Sequence, residues 1–147
     1  MTSTLPQGFF ERVLYFISKN GVNFLQGAAT TMIIAVISTI IGCVIGFIVG
    51  ILQTIPIEKS DGVFKKTGLY ILRGFLSVYV EVFRGTPMMV QAMIIYYGIA
   101  AEIFGIYMNM WFAAFLIVSI NTGAYMAETV RGGIISIDPG QTEGAKA

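Results

Sequence analysis

Asn121, Tyr125 and Glu128 stand at i, i+4 and i+7, and Arg131 follows Glu128 by three. On a helix these residues share one face. They close an apolar run, 103–127, that carries no charge. Polar groups on one side of such a run face a bundle interior or a water-filled path. Two chemistries fit. Asn121, Tyr125 and Glu128 line a route for a polar solute, or Glu128 and Arg131 form an interfacial ion pair while Asn121 makes one interhelical hydrogen bond. The residues alone leave both open.

Covalent chemistry has no support. The 147 residues include no histidine and one cysteine, Cys43. Imidazole acid–base catalysis is therefore absent, along with most metal sites and any internal disulfide. No nucleophile stands beside a base, no carboxylates pair within an apolar stretch, and no phosphate-binding Gly-x-x-x-x-Gly-Lys-Ser/Thr occurs. We expect no catalytic residue, no metal and no bound cofactor. Cys43 lies between Gly42 and Val44 in an apolar run and reads as a packing residue.

The elements that must position the polar face follow from where charge is missing. Charged residues make up 12% of the chain against about 25% in soluble domains, and mean hydropathy is +0.79. The net charge of +1 implies no nucleic-acid partner. Residues 20–57, 85–101 and 103–127 carry no charge at all. About 20 apolar residues are needed to cross the ~30 Å hydrocarbon layer of a membrane. The expected fold is therefore all-α and integral to the membrane, with spans at about 30–54, 82–101 and 107–127.

An N-terminal segment, 1–23, precedes the first span. Within it Phe10, Val13, Leu14 and Ile17 share a face, which predicts an amphipathic helix lying in the lipid interface and ending near Asn20-Gly21. It reads as no cleaved leader, because Arg12 comes late, after Glu11, and no small-residue cleavage site follows. In the first span Gly42, Gly46 and Gly50 recur every fourth residue, continued by Ala35 and Ser38/Thr39, and predict close helix packing. Residues 56–73 read as a connection with a turn at Ser60-Asp61-Gly62.

The second span opens on Glu81, Arg84, Gly85, Thr86 and Pro87. Glu81 and Arg84 are three apart and are expected to pair at headgroup level. Pro87 is expected to kink the first turns, so that neighbouring groups must satisfy the carbonyl it frees. Residues 98–106 read as a short connection flanked by an aromatic belt of Tyr96, Tyr97, Tyr107 and Trp111. The tail 128–147 is charged. In it Gly132-Gly133 loosens the helix end, Asp138-Pro139-Gly140 turns, and a new helix begins near Gln141. With the N-terminus outside, seven of the nine Lys/Arg residues face inward, so the positive-inside rule predicts that orientation.

Three blocks resemble a known family. YVEVFRGTPMMVQ (79–91), IYYG (95–98) and AYMAETVRGGIISIDPGQTEGAKA (124–147) are similar to the membrane permease subunit of polar amino acid ABC importers. These form the histidine/glutamine/arginine type of the binding-protein-dependent transport inner membrane family. LQGAATTMIIAVISTIIGCVIG (25–46) is similar to that family's first span. The resemblance covers nearly all of 20–147 and implies an incomplete type I importer transmembrane domain over 24–147.

It further implies a second permease subunit, identical or paralogous. Two cytoplasmic ATPase subunits bind the ATP, and an extracytoplasmic binding protein delivers the amino acid. The site would be a bacterial cytoplasmic membrane. The family's cytoplasmic coupling helix, with its Glu-Ala-Ala…Gly pattern, matches Pro139, Gly140, Glu143, Gly144 and Ala145, Gly144 standing for the middle alanine. This makes 141–147 a partial coupling helix and favours Asn121 and Glu128 on the pathway. Family members continue with a Gly, a later Leu-Pro and two more spans, so a C-terminally truncated chain without transport activity of its own is expected. The alternative is a complete three-span accessory protein acting by helix association through Gly42, Gly46 and Gly50.

Overall fold

The computed structural model describes residues 8–57 and 62–144, and every regular element among them is helical. In chain order these are α1 (Phe9–Thr54), α2 (Val63–Gly85), α3 (Met88–Met93), a π-helical stretch (Ile94–Ile103), α4 (Met110–Ile135) and the short α5 (Pro139–Gly144). Parts of the expected connection and tail, Glu58 to Asp61 and Ala145 to Ala147, lie outside the described residues, as do the first seven of the N-terminal segment.

The chain divides into two compact units, Met1–Ala35 and Val36–Ala147. In the first unit the described residues are one helical stretch whose large apolar side chains, such as Phe9, Leu14 and Leu25, are exposed. The helix does not end at Asn20-Gly21, as the sequence reading expected. Glycine weakens a helix interior by about 1 kcal/mol, and a glycine that closes a helix commonly does so in the left-handed conformation. Among the described residues that happens at Gly105 (φ 63°), not at Gly21.

The second unit holds the core. Val49, Val80 and Ala127 are buried together, with Ile45, Leu76 and Tyr79 packed around them. The seam between α1 and α4 is made of small residues on both sides. Ser38, Gly42, Gly46 and Gly50 are buried on α1, and Ser119, Gly123 and Ala127 on α4, each row spaced by four. A Cβ at Gly46 would lie 2.4 Å from Met126 Cβ and 2.6 Å from the Gly123 carbonyl oxygen. One at Gly42 would meet Thr122 at 2.7 Å, and one at Gly50 would meet Val130 at 2.7 Å. The backbones approach so closely because neither row carries side chains that would hold them apart.

Two boundaries differ from the sequence reading. Most of the expected connection 56–73 is the start of α2, an amphipathic helix whose Leu76, Tyr79, Val80 and Phe83 turn inward while Phe64 and Phe75 stay exposed. The second apolar segment is not one helix over 82–101. It breaks at Thr86-Pro87 and resumes as Met88–Ile103. Among the described residues two helices, α1 and α4, are long and apolar enough to cross a membrane, and Met88–Ile103 is a shorter apolar one.

The expected connection 98–106 is likewise mostly helical. The π stretch runs to Ile103 and is closed by the N–H of Gly105 donating to Ala101 (3.1 Å) and that of Ile106 to Ala100 (2.7 Å). Asn109 then caps α4, its side chain accepting from the Trp111 N–H at 2.9 Å. α4 runs through Gly132-Gly133 to Ile135, beyond the expected end of the third span. α5 begins at Pro139, two residues before the expected start. Asp138 holds that turn, accepting from the Gly140 N–H on its side chain (2.7 Å) and from the Gln141 N–H on its carbonyl (3.0 Å).

Candidate functional site

The polar residues of the second unit gather where α2 ends against α4. Glu128 accepts both arms of the Arg131 guanidinium, Nε at 3.1 Å and a terminal nitrogen at 2.6 Å. Arg84, in the last turn of α2, approaches the same carboxylate at 3.7 Å. Its guanidinium also lies over the Tyr125 ring, 5.7 Å from the centroid. One carboxylate thus sits between two guanidinium groups and ties α2 to α4. The side chains are 31–41% exposed, so each pair contributes on the order of 1 kcal/mol or less.

The expected Glu81–Arg84 pair is not formed. Arg84 turns to Glu128 because the neighbouring helix offers it a carboxylate and an aromatic face together. Among the described residues Glu81 has no ion pair, although it lines the same cleft. That cleft, of about 600 Å³, is bounded by Gln53 of α1, by Arg73, Glu81 and Arg84 of α2, and by Glu128 and Arg131 of α4. Arg73 donates to the carbonyl of Ile55, just past the end of α1. Gln53 Oε1 and Arg73 Nε are buried with no hydrogen-bond partner among the described residues. Three guanidinium groups, two carboxylates and an amide make this a cleft for polar or zwitterionic groups.

Asn121 is placed differently from Tyr125 and Glu128. Its amide donates to the Phe83 carbonyl (3.1 Å) and to Gln91 Oε1 (3.0 Å), bridging α4 to both sides of the break in α2–α3. This is the interhelical hydrogen bond of the two sequence readings. Tyr125 is half exposed and Glu128 lines the cleft. Gly85, Thr86 and Pro87 form the break itself, with Thr86 Oγ1 donating to the Val82 carbonyl at 2.8 Å.

Sequence reasoning passed over Gln91 and Tyr79. Gln91, 6% exposed, is an amide in the charge-free run 85–101, and that isolation was its signal. Tyr79 donates to the Ile120 carbonyl at 2.6 Å, and its ring lies 5.3 Å from that of Phe83. Nothing in its spacing marked it. Gly140, Glu143 and Gly144 lie on α5 with Pro139, and Ala145 lies outside the described residues.

Known proteins are similar to the chain in sequence, and a solved structure is similar to it in fold. A putative glutamine transport system permease protein of Rickettsia prowazekii is 43% identical over 77 residues, 52% of this chain and 35% of that protein. The arginine transport system permease protein of Bacillus subtilis is 35% identical over 126 residues, 84% of this chain and 50% of that protein. The chain thus spans half or less of these relatives' length. A crystal structure of an amino acid ABC transporter with histidines superposes with a TM-score of 0.72 at 27% identity, covering 99% of this chain and 57% of that one. Residues 70–147 match the family described as the binding-protein-dependent transport system inner membrane component. That segment holds the break at Pro87, the cleft carboxylate Glu128 and α5. The chain belongs to this family of inner membrane transport components.

Proposed function

We propose that this chain supplies part of the permease of an ATP-driven importer for polar amino acids, and that ATP is bound by a separate subunit. The observation that carries the reading is the similarity, over 84% of the chain, to a permease named for arginine transport. The cleft chemistry agrees with it. A zwitterion presents a carboxylate and an ammonium group, and the cleft offers guanidinium groups beside Glu81.

In this reading Tyr125 and Glu128 border the path, and Asn121 stands beside it on the same helix. The chain crosses the membrane three times with the N-terminus outside, the middle crossing carried by Met88–Ile103 and the end of α2. A second permease subunit completes the path, and an external binding protein delivers the solute. On the cytoplasmic side Pro139, Gly140, Glu143, Gly144 and Ala145 seat in an ATPase subunit. A short helix so seated transmits rigid-body motion into α4, from which it is separated by three residues. The accessory-protein alternative needed Gly42, Gly46 and Gly50 for an outside partner, and that row is occupied by α4 within the chain.

The test is reconstitution of the transporter that contains this chain, with its ATPase and binding protein, in lipid vesicles. The expected result is ATP-dependent uptake of glutamine, arginine or histidine. Glu143→Ala should lower uptake per ATP hydrolysed. Uptake of a non-amino-acid solute, with none of any polar amino acid, would overturn the reading.

A further inference from the structure

Pro87 has no N–H, so the carbonyl of Phe83, four residues earlier, loses its helical partner. Thr86, ahead of the proline, is held extended (φ −120°, ψ 146°), and Pro87 follows (φ −61°, ψ 133°). In apolar surroundings a carbonyl left bare at such a break is costly. Two side-chain amides close it from different elements. Gln91, on α3, donates through Nε2 to the Phe83 carbonyl at 2.9 Å and to the carbonyl and hydroxyl oxygens of Thr86 at 2.8 Å. Asn121, on α4, donates to the same Phe83 carbonyl and to Gln91 Oε1.

The two amides have unequal tasks. Gln91 satisfies the break from within the α2–α3 segment, wherever α4 stands. Asn121 adds the tie to α4. If α4 withdraws, Asn121 loses two hydrogen bonds but no backbone carbonyl is stranded, because Gln91 still serves Phe83. Release of this tie therefore leaves the break its shape, and the Tyr79 and Arg84 contacts between α2 and α4 are separate from it. We propose that Gln91 and Asn121 form an amide latch, in which Gln91 caps the proline break permanently and Asn121 is the releasable tie that holds α3 and the π stretch against α4 during transport. Both are positioning residues. The structural part stands by itself, and the last clause rests on the transport reading.

The test combines three measurements on the assembled transporter. The first replaces Cys43 with alanine and places thiols at Met88 and Val118, which line one apolar groove between α3 and α4. A short bifunctional thiol reagent then reports their closeness. Asn121→Leu should lower the cross-linking rate about 3- to 20-fold, the range expected of one interhelical tie in a membrane. If the Leu variant does not fold, Asn121→Asp, of the same shape without amide protons, serves instead.

The second compares backgrounds. Pro87→Ala restores an N–H for Phe83. Gln91→Leu should therefore lower the folded fraction strongly where Pro87 is kept, and less than about 2-fold in the Pro87→Ala background. The third is uptake of arginine per ATP hydrolysed, which Asn121→Leu should lower. An unchanged cross-linking rate, or an equal Gln91→Leu penalty in both backgrounds, overturns the latch whatever the uptake. A looser cross-link in a transporter whose unmutated form imports no polar amino acid leaves the latch standing and removes the transport reading.

Discussion

The α1–α4 seam and the α2–α3 break solve opposite problems with opposite residues. At the seam two continuous helices have no orphan backbone groups, and contact is limited by side-chain bulk. Glycine, serine and alanine remove that bulk, and the backbones approach until Cβ atoms would collide. At the break the helix is interrupted, and backbone groups are left without partners. There bulk is needed, in the form of amides long enough to reach Phe83 and Thr86. One interface is held by side chains that are missing and the other by two that are present. They should therefore respond to mutation in different ways.

The largest effect is expected at the seam. Gly46→Ala places a methyl 2.4 Å from Met126 Cβ, 2.6 Å from the Gly123 carbonyl oxygen and 2.9 Å from the Ala127 nitrogen. Two of those atoms are backbone and can yield only if the helices part. Overpacking of this kind costs about 1–3 kcal/mol, and Gly46 should lie at the upper end. Gly42→Ala and Gly50→Ala should cost less, since each methyl meets one backbone atom rather than two, the Ser119 carbonyl oxygen at 2.9 Å and the Ala127 carbonyl oxygen at 2.8 Å, and no atom nearer than 2.7 Å. Thermal unfolding in detergent, followed through Trp111, measures the order. Equal penalties at all three positions would show that the seam adjusts as a whole.

The break should come next. Gln91→Leu removes the donor to Phe83 and Thr86 and the acceptor of Asn121 together, a loss of about 2 kcal/mol for buried groups. Asn121→Leu leaves Phe83 partnered through Gln91 and should cost about 1 kcal/mol. The same melts separate them. A larger loss for Asn121 would make α4, not Gln91, the main support of the break.

These two regions were not equally legible in the sequence. The seam showed in the four-residue spacing of Gly42, Gly46 and Gly50, because small residues at that period have few other uses in an apolar run. Pro87 announced that a carbonyl would need a partner, but not which side chain would supply it. Asn121 lies 38 residues from Phe83, and no local pattern links them. Arg84 failed for the same reason: its sequence neighbour Glu81 was visible, while Glu128 was brought to it by folding. The helix boundary expected near Asn20-Gly21 is absent because the backbone stays right-handed there, whereas α4 ends two residues after Gly132-Gly133. At Gly105, where φ is positive, the same residue does close a helix.

The Arg84–Glu128–Arg131 group should show a smaller and divided effect. Arg131 meets Glu128 through two hydrogen bonds and Arg84 through one approach of 3.7 Å. A double-mutant cycle of Glu128→Gln with Arg131→Ala should give a coupling of about 0.5–1 kcal/mol, and one with Arg84→Ala less. Both should shrink with added salt. If Arg84 proved the stronger partner, its cation over the Tyr125 ring would be contributing to the tie between α2 and α4.

The smallest effect, and the sharpest contrast with the seam, lies on α2. Gly68 and Gly74 are exposed, and a Cβ at either meets nothing within 4 Å. Alanine there keeps the helical backbone and adds helix propensity, so each substitution should stabilise by up to about 1 kcal/mol, opposite in sign to Gly46→Ala. The isolated chain in detergent and the assembled transporter need not agree. If Gly68→Ala or Gly74→Ala stabilises the chain alone but weakens the assembly, a partner's backbone rests on that glycine, and the rule of the α1–α4 seam extends to a contact between subunits. If both forms gain, these glycines are unpartnered there too, and small residues in this protein mark close contact only where their four-residue row faces another helix.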